Sequence, residues 1–136
     1  MKRRTAREKA VQCLFQIDMA EARMEDAIAM VLEDQEETDT DYMKYLVANT
    51  LENLETIDAE IKKYLRGWQL DRIANVDRAI LRLAFFELMY EPALPEKVVL
   101  NEAIELAKLF SDDQSFRFIN GVLSSFLQAR QTPITE

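Results

Sequence analysis

The sequence predicts an all-α domain, and three observations carry that prediction. Only two glycines and three prolines occur in 136 residues, too little turn chemistry for the hairpins of an all-β domain. Apolar residues recur at steps of three and four along most of the chain, the period of a helix and not of a strand. They make up 49% of the total against 31% charged, enough at this length to close a core.

A first helix is predicted from about Thr5, read as an N-cap with Glu8 three residues on, to about Met19. Its main stripe is Ala6, Ala10, Cys13, Leu14 and Ile17; a flanking stripe holds Arg4, Arg7, Val11 and Phe15. Met24 to Leu32 form a short second helix, and the acidic stretch from Glu33 to Asp41 reads as a solvated connection. Met43, Leu46, Val47, Thr50, Leu51 and Leu54 mark a third helix; Ile57, Ile61, Tyr64, Leu65 and Trp68 mark a fourth.

Gly67 is a candidate left-handed terminator, and Asn75 a candidate cap for a fifth helix. Val76, Ile80, Leu81, Leu83, Ala84, Phe85 and Leu88 surround most of that helix, so it should be central and buried, with Arg78 and Arg82 on its polar stripe. Pro92 and Pro95 end it in a loop. A sixth helix spans about Glu96 to Phe110 and a seventh about Asp113 to Ala129, separated by a capping cluster at Ser111 to Asp113. The expected architecture is two small bundles sharing the long central helix, a single domain over 1–130 with 131–136 a flexible C-terminal tail.

Catalysis is poorly supported. The chain has no histidine and one cysteine, which removes the commonest general base and any thiolate metal site; two glycines cannot build a phosphate loop. No cofactor is expected. Cys13 reads as core filler, and a lone cysteine with no signal peptide or long apolar run suggests a cytoplasmic protein with no membrane span.

The net charge of −8 argues against nucleic acid, but its distribution does not. Residues 1–17 carry five bases and one acid, and residues 18–60 fourteen acids and two bases. Residues 61–82 then carry six bases and two acids, around Arg66, Arg72, Arg78 and Arg82. If folding joins the two basic blocks, they form one positive patch. The run KRRTAREK sets Lys2, Arg3, Arg4 and Arg7 at the start of a helix, where phosphates are favoured. In RFIN, Phe118 sits beside Arg117 at the edge of an apolar arc, suited either to base stacking or to a wider buried face. Gly121 suggests close helix packing. Phe15 suits either the core or a protein contact. Asp77 and Glu87 project into the apolar arc of the fifth helix and need partners, either an internal ion pair with an arginine of the first helix or a second protein.

Four segments in order, KRRTAREKAVQCLFQ, DRAILRLAFFEL, NEAIELAKLF and RFINGVL, resemble the NusB family of bacterial transcription antitermination factors, over about Arg3 to Leu127. The resemblance implies a seven-helix NusB-like fold. It implies binding of boxA RNA in nascent ribosomal RNA transcripts, jointly with NusE, a ribosomal small-subunit protein, to load antitermination complexes on RNA polymerase. It implies RNA contacts at Arg3, Arg4, Arg7 and Phe118, and NusE contacts at Phe15 and Asp77; the residue reading adds Lys2, Arg78, Arg82 and Arg117 to the expected RNA surface, and Gln12 and Glu87 to the expected partner surface. Ser124 and Gln114 stand where relatives can carry an acid, a change that should favour RNA. The rival readings are a protein-only helical adaptor and an RNA-binding module beside a ribosomal RNA methyltransferase. A homodimer that hides the site stays open.

Overall fold

The computed structural model describes residues 1–33 and 39–131. Seven α-helices follow in order among them: α1 (Arg3–Ala20), α2 (Met24–Val31), α3 (Asp41–Glu52), α4 (Leu54–Lys62), α5 (Asn75–Tyr90), α6 (Glu96–Phe110) and α7 (Asp113–Gln131). A single 3-10 turn, Leu70–Arg72, precedes α5. The all-α prediction holds.

Helix α5 is the axis. It packs against α1, α3, α4, α6 and α7, and its residues from Asp77 to Leu88 are buried except Arg82. Helices α1 to α3 close on one side of it and α4, α6 and α7 on the other, so two bundles share one helix. The small residues Ala6, Ala10 and Cys13 lie on one stripe of α1 and are buried, letting that helix approach α5 closely. In the other bundle Phe85 stacks on Phe126 with centroids 4.6 Å apart, and Tyr64 meets Phe126 edge-on at 5.5 Å. The buried rings of Phe85 and Phe126 contribute about 1.5–3 kcal/mol each. Cys13 is core filler as expected, and burial pushes its thiol up to about 12.

Several boundaries differ from expectation. Helix α1 starts at Arg3, its first turn closed by the Ala6 amide on the Lys2 carbonyl at 2.9 Å, so Thr5 lies inside the helix and caps nothing. Helix α4 stops at Lys62, well before Trp68. Arg66 and Gly67 then adopt consecutive left-handed conformations, φ +44° and +91°, which reverse the chain. That pair takes Trp68 off the helical stripe and turns it outward. Asn75 is the first residue of α5 instead of its cap. Helix α7 continues through Gln131, while the rest of the expected tail and most of the acidic connection fall outside the described residues. No helix is long and apolar enough to cross a membrane.

Candidate nucleic-acid interface

Helix α1 runs antiparallel to α5: Arg7 meets Glu87 near one end and Asp18 meets Arg78 near the other. The arginines of the N-terminal run have different fates. Arg3 is exposed and lays its guanidinium 4.1 Å above the Tyr42 ring. Arg4 is 60% exposed and makes a two-bonded pair with Glu102 at 3.1 and 3.2 Å, which raises its pKa. Lys2 is exposed just ahead of them.

Arg7 corrects the sequence reading. Its side chain is 4% exposed and donates to both Glu87 carboxylate oxygens at 2.9–3.1 Å, and Glu87 is itself 2% exposed. Burial disfavours the Arg7 charge, but the hydrogen bonds and field of Glu87 outweigh it and the pKa rises. Neither residue can present its charge to RNA or to a protein partner. The internal ion pair with an arginine of the first helix, one of the two readings left open for Glu87, is the one adopted.

Arg78 and Arg82 require a second correction. Arg78 donates to Asp18 at 2.7 Å and to the Leu70 carbonyl at 2.8 Å; Arg82 grips Asp58 at 2.8 and 2.9 Å, with Asp18 3.5 Å away. Asp18 and Asp58, from α1 and α4, neutralise both cations and tie the two bundles to α5. The two basic blocks therefore do not merge into one positive patch.

Asp77 forms no ion pair among the described residues. It is buried, and its carboxylate accepts the Ser111 hydroxyl at 2.8 Å and the Ser115 hydroxyl at 2.7 Å. Those bonds fasten the α6–α7 corner to the first turn of α5, so Asp77 positions this corner and presents little surface to a partner. Asp112 completes the corner by accepting the Ser115 amide at 2.9 Å, a bond that holds its carboxyl below the usual range.

Beside that corner Phe118 is half-buried, and Trp68, 61% exposed, approaches it edge-on with centroids 6.1 Å apart. A cleft of about 280 Å³ on one side of the pair is bordered by Arg66, Arg117, Gly121 and Ser125; one of about 230 Å³ on the other reaches Arg72, Asp77, Asp112 and Gln114. Arg117 and Arg72 are exposed and have no carboxylate partner among the described residues. Gly121 is exposed, and a Cβ there would meet nothing within 4 Å, so it serves no helix packing. Sequence reasoning missed Trp68 by extending α4 through it. The signal was present, since a left-handed Gly67 breaks the helical period.

On the opposite flank of the α5 N-terminus, Gln12 and Phe15 line an open groove of about 590 Å³ with Val11, Val31, Val76 and Phe110. Phe15 is half-buried, part core and part groove wall. Val76 faces the groove while its neighbour Asp77 borders the aromatic cleft.

Comparison with known proteins places the chain in a family. Residues 4–128 match the model of the NusB family. Transcription antitermination protein NusB from Bacillus velezensis is 54% identical over 125 residues, covering 92% of this chain and 95% of that one. Its counterpart from Listeria innocua is 46% identical with the same coverage. The solved complex of antitermination factors NusB and NusE with double-stranded RNA is similar at 28% identity and TM-score 0.85, over 93% of this chain and 96% of its own. NusB from T. maritima is similar at 32% identity and TM-score 0.85, over 94% and 92%. With a helical core built around α5, a family match over nearly its whole length and relatives at half its residues or close to it, the chain belongs to the NusB family.

Proposed function

We propose that this protein is a non-catalytic RNA-binding adaptor that acts in the cytoplasm. It binds boxA RNA of nascent ribosomal RNA transcripts together with NusE and so loads antitermination complexes on RNA polymerase. RNA is taken by Arg117 and Phe118, with Lys2, Arg3 and Arg4 as a second station; Gln12 and Phe15 take the protein partner. Arg7, Arg78 and Arg82 shape these surfaces from within, as Asp77 and Glu87 do.

The observation that carries this reading is adjacency. The apolar groove and the aromatic cleft flank the same few residues, Val76 and Asp77 at the start of α5 and Phe110 to Ser115 at the α6–α7 corner. Two ligands bound there bias one rigid corner, and a coupling of that kind is reciprocal. An aromatic cleft favours an unpaired strand, because bases in an A-form helix are stacked on one another and unavailable to side chains.

The experiment is a titration of labelled boxA RNA, a scrambled strand and a boxA duplex, each with and without NusE. The single boxA strand should bind most tightly, and NusE should tighten it further. Equal affinity for boxA and scrambled strands would leave a protein-only adaptor. A preference for the duplex would move the RNA away from the cleft.

A further inference from the structure

Trp68 is absent from every role given so far, yet it is the most exposed large apolar side chain among the described residues. The left-handed turn at Arg66 and Gly67 holds it out, with the Trp68 amide fixed on the Leu65 carbonyl at 3.1 Å. Its ring meets Phe118 at an interplanar angle of 67°, an edge contact that leaves an indole face unstacked.

We propose that Trp68 and Phe118 form the two walls of a nucleobase-stacking site, which seats one unpaired base of the RNA strand with its phosphate on the Arg66 and Arg117 side. The inference rests on the RNA-binding reading above and adds to it the main stacking residue and the polarity of the site. Three observations support it. The cleft of about 280 Å³ lies near the lower limit for small-ligand pockets, suited to one base and too small for a helix. Gly121 keeps that cleft open, since any longer side chain would project into it from α7. The charges are also ordered. Arg66 and Arg117 border this side with no acid, Arg66 only loosely held by the Ser125 hydroxyl at 3.4 Å, whereas on the other Arg72 is outnumbered by Asp77 and Asp112. A phosphate is therefore favoured on the first side over the second. In a chain of net charge −8, unpaired arginines grouped around an exposed tryptophan favour an anionic, aromatic ligand over an acidic peptide, which lacks rings to stack.

Trp68 is the sole tryptophan of the chain, so its emission reports this position alone. The experiment titrates boxA RNA into the protein while following both Trp68 emission and the anisotropy of labelled RNA. Stacking predicts quenching that saturates with the anisotropy. Trp68→Ala should weaken RNA binding roughly five- to 150-fold, and Trp68→Phe should restore most of it. Gly121→Glu, whose Cβ would meet nothing within 4 Å, places a carboxylate in the cleft and should produce a comparable loss at an unchanged melting temperature. If RNA binds by anisotropy while Trp68 emission stays constant and both Trp68→Ala and Gly121→Glu bind as wild type, the stacking site is overturned and the RNA-binding reading survives. If no RNA binds with or without NusE, that reading falls and the site falls with it.

Discussion

The two ends of α5 carry similar residues arranged to opposite ends. Near Glu87 the inner arginine is occupied and the outer two are not sealed: Arg7 is buried on a carboxylate, while Arg4, held by Glu102, and Arg3, over Tyr42, keep an exposed face. At the Asp77 end, about 15 Å away along ten residues of helix, the acid is satisfied by two serine hydroxyls. Arg66, Arg72 and Arg117 there face solvent beside Trp68 and Phe118, while Arg78, next to Asp77, is held by Asp18. One end uses its inner arginine to hold α1 to α5, and the other leaves three arginines available around an aromatic pair. Formal charge counts do not distinguish the two, because an arginine contributes to binding only what its neighbours leave uncompensated.

The largest expected effect breaks the first end. Arg7→Met leaves Glu87 buried without its partner and should cost about 3–5 kcal/mol of stability, read from the urea midpoint. Replacing both residues with methionine should recover most of that loss. A single mutant as stable as wild type would mean that the pair is not buried as described.

The salt dependence of RNA binding sharpens the contrast. If about four phosphates are neutralised, the log-log slope is near −2.8, roughly a fifty-fold loss from 50 to 200 mM salt. Removing Arg117 should reduce the slope by about 0.7, while removing Arg82, already neutralised by Asp58, should leave it unchanged. Equal effects would erase the distinction between occupied and available cations. Phe118→Ala should cost about 1–3 kcal/mol of RNA affinity in a folded protein.

The smallest effect concerns pH. Asp112 has a folded pKa below its ordinary 3.8, so its contribution is present at neutral pH and lost as pH falls through the lowered value, in the strongly acid range. Amide exchange at Ser115 should accelerate there before exchange around Glu87 does. Simultaneous loosening of both ends would show that the capping bond has no independent weight.

Much of the fold was legible in the sequence because helical periodicity and burial are local facts. The apolar residues around α5 announced a central helix, and Pro92 and Pro95 announced the loop before α6. The site was less legible, because pairing is a property of three dimensions. A pair between Glu87 and an arginine of the first helix was among the expected readings, but nothing in a run of arginines reveals that Arg7 is the one that turns inward, or that Asp18 and Asp58 converge on Arg78 and Arg82. Phe118 could be flagged from its place at the edge of an apolar arc. Trp68 could not be flagged while α4 was extended through it, and only the left-handed pair at Arg66 and Gly67 frees it. Gly121 was misread for a related reason, since a helical glycine looks the same in sequence whether it faces a neighbour or solvent.

The central claim is that RNA occupies the available end of α5 and that the protein groove lies on its other flank. Amide and indole NMR shifts on adding boxA RNA test it most directly. Changes are expected at residues 66–73 and 114–121 and at the Trp68 indole, with a second group at residues 2–4 and little change around Gln12 and Phe15. Shifts confined to the Gln12 and Phe15 groove, with Trp68 and Phe118 unmoved, would contradict it.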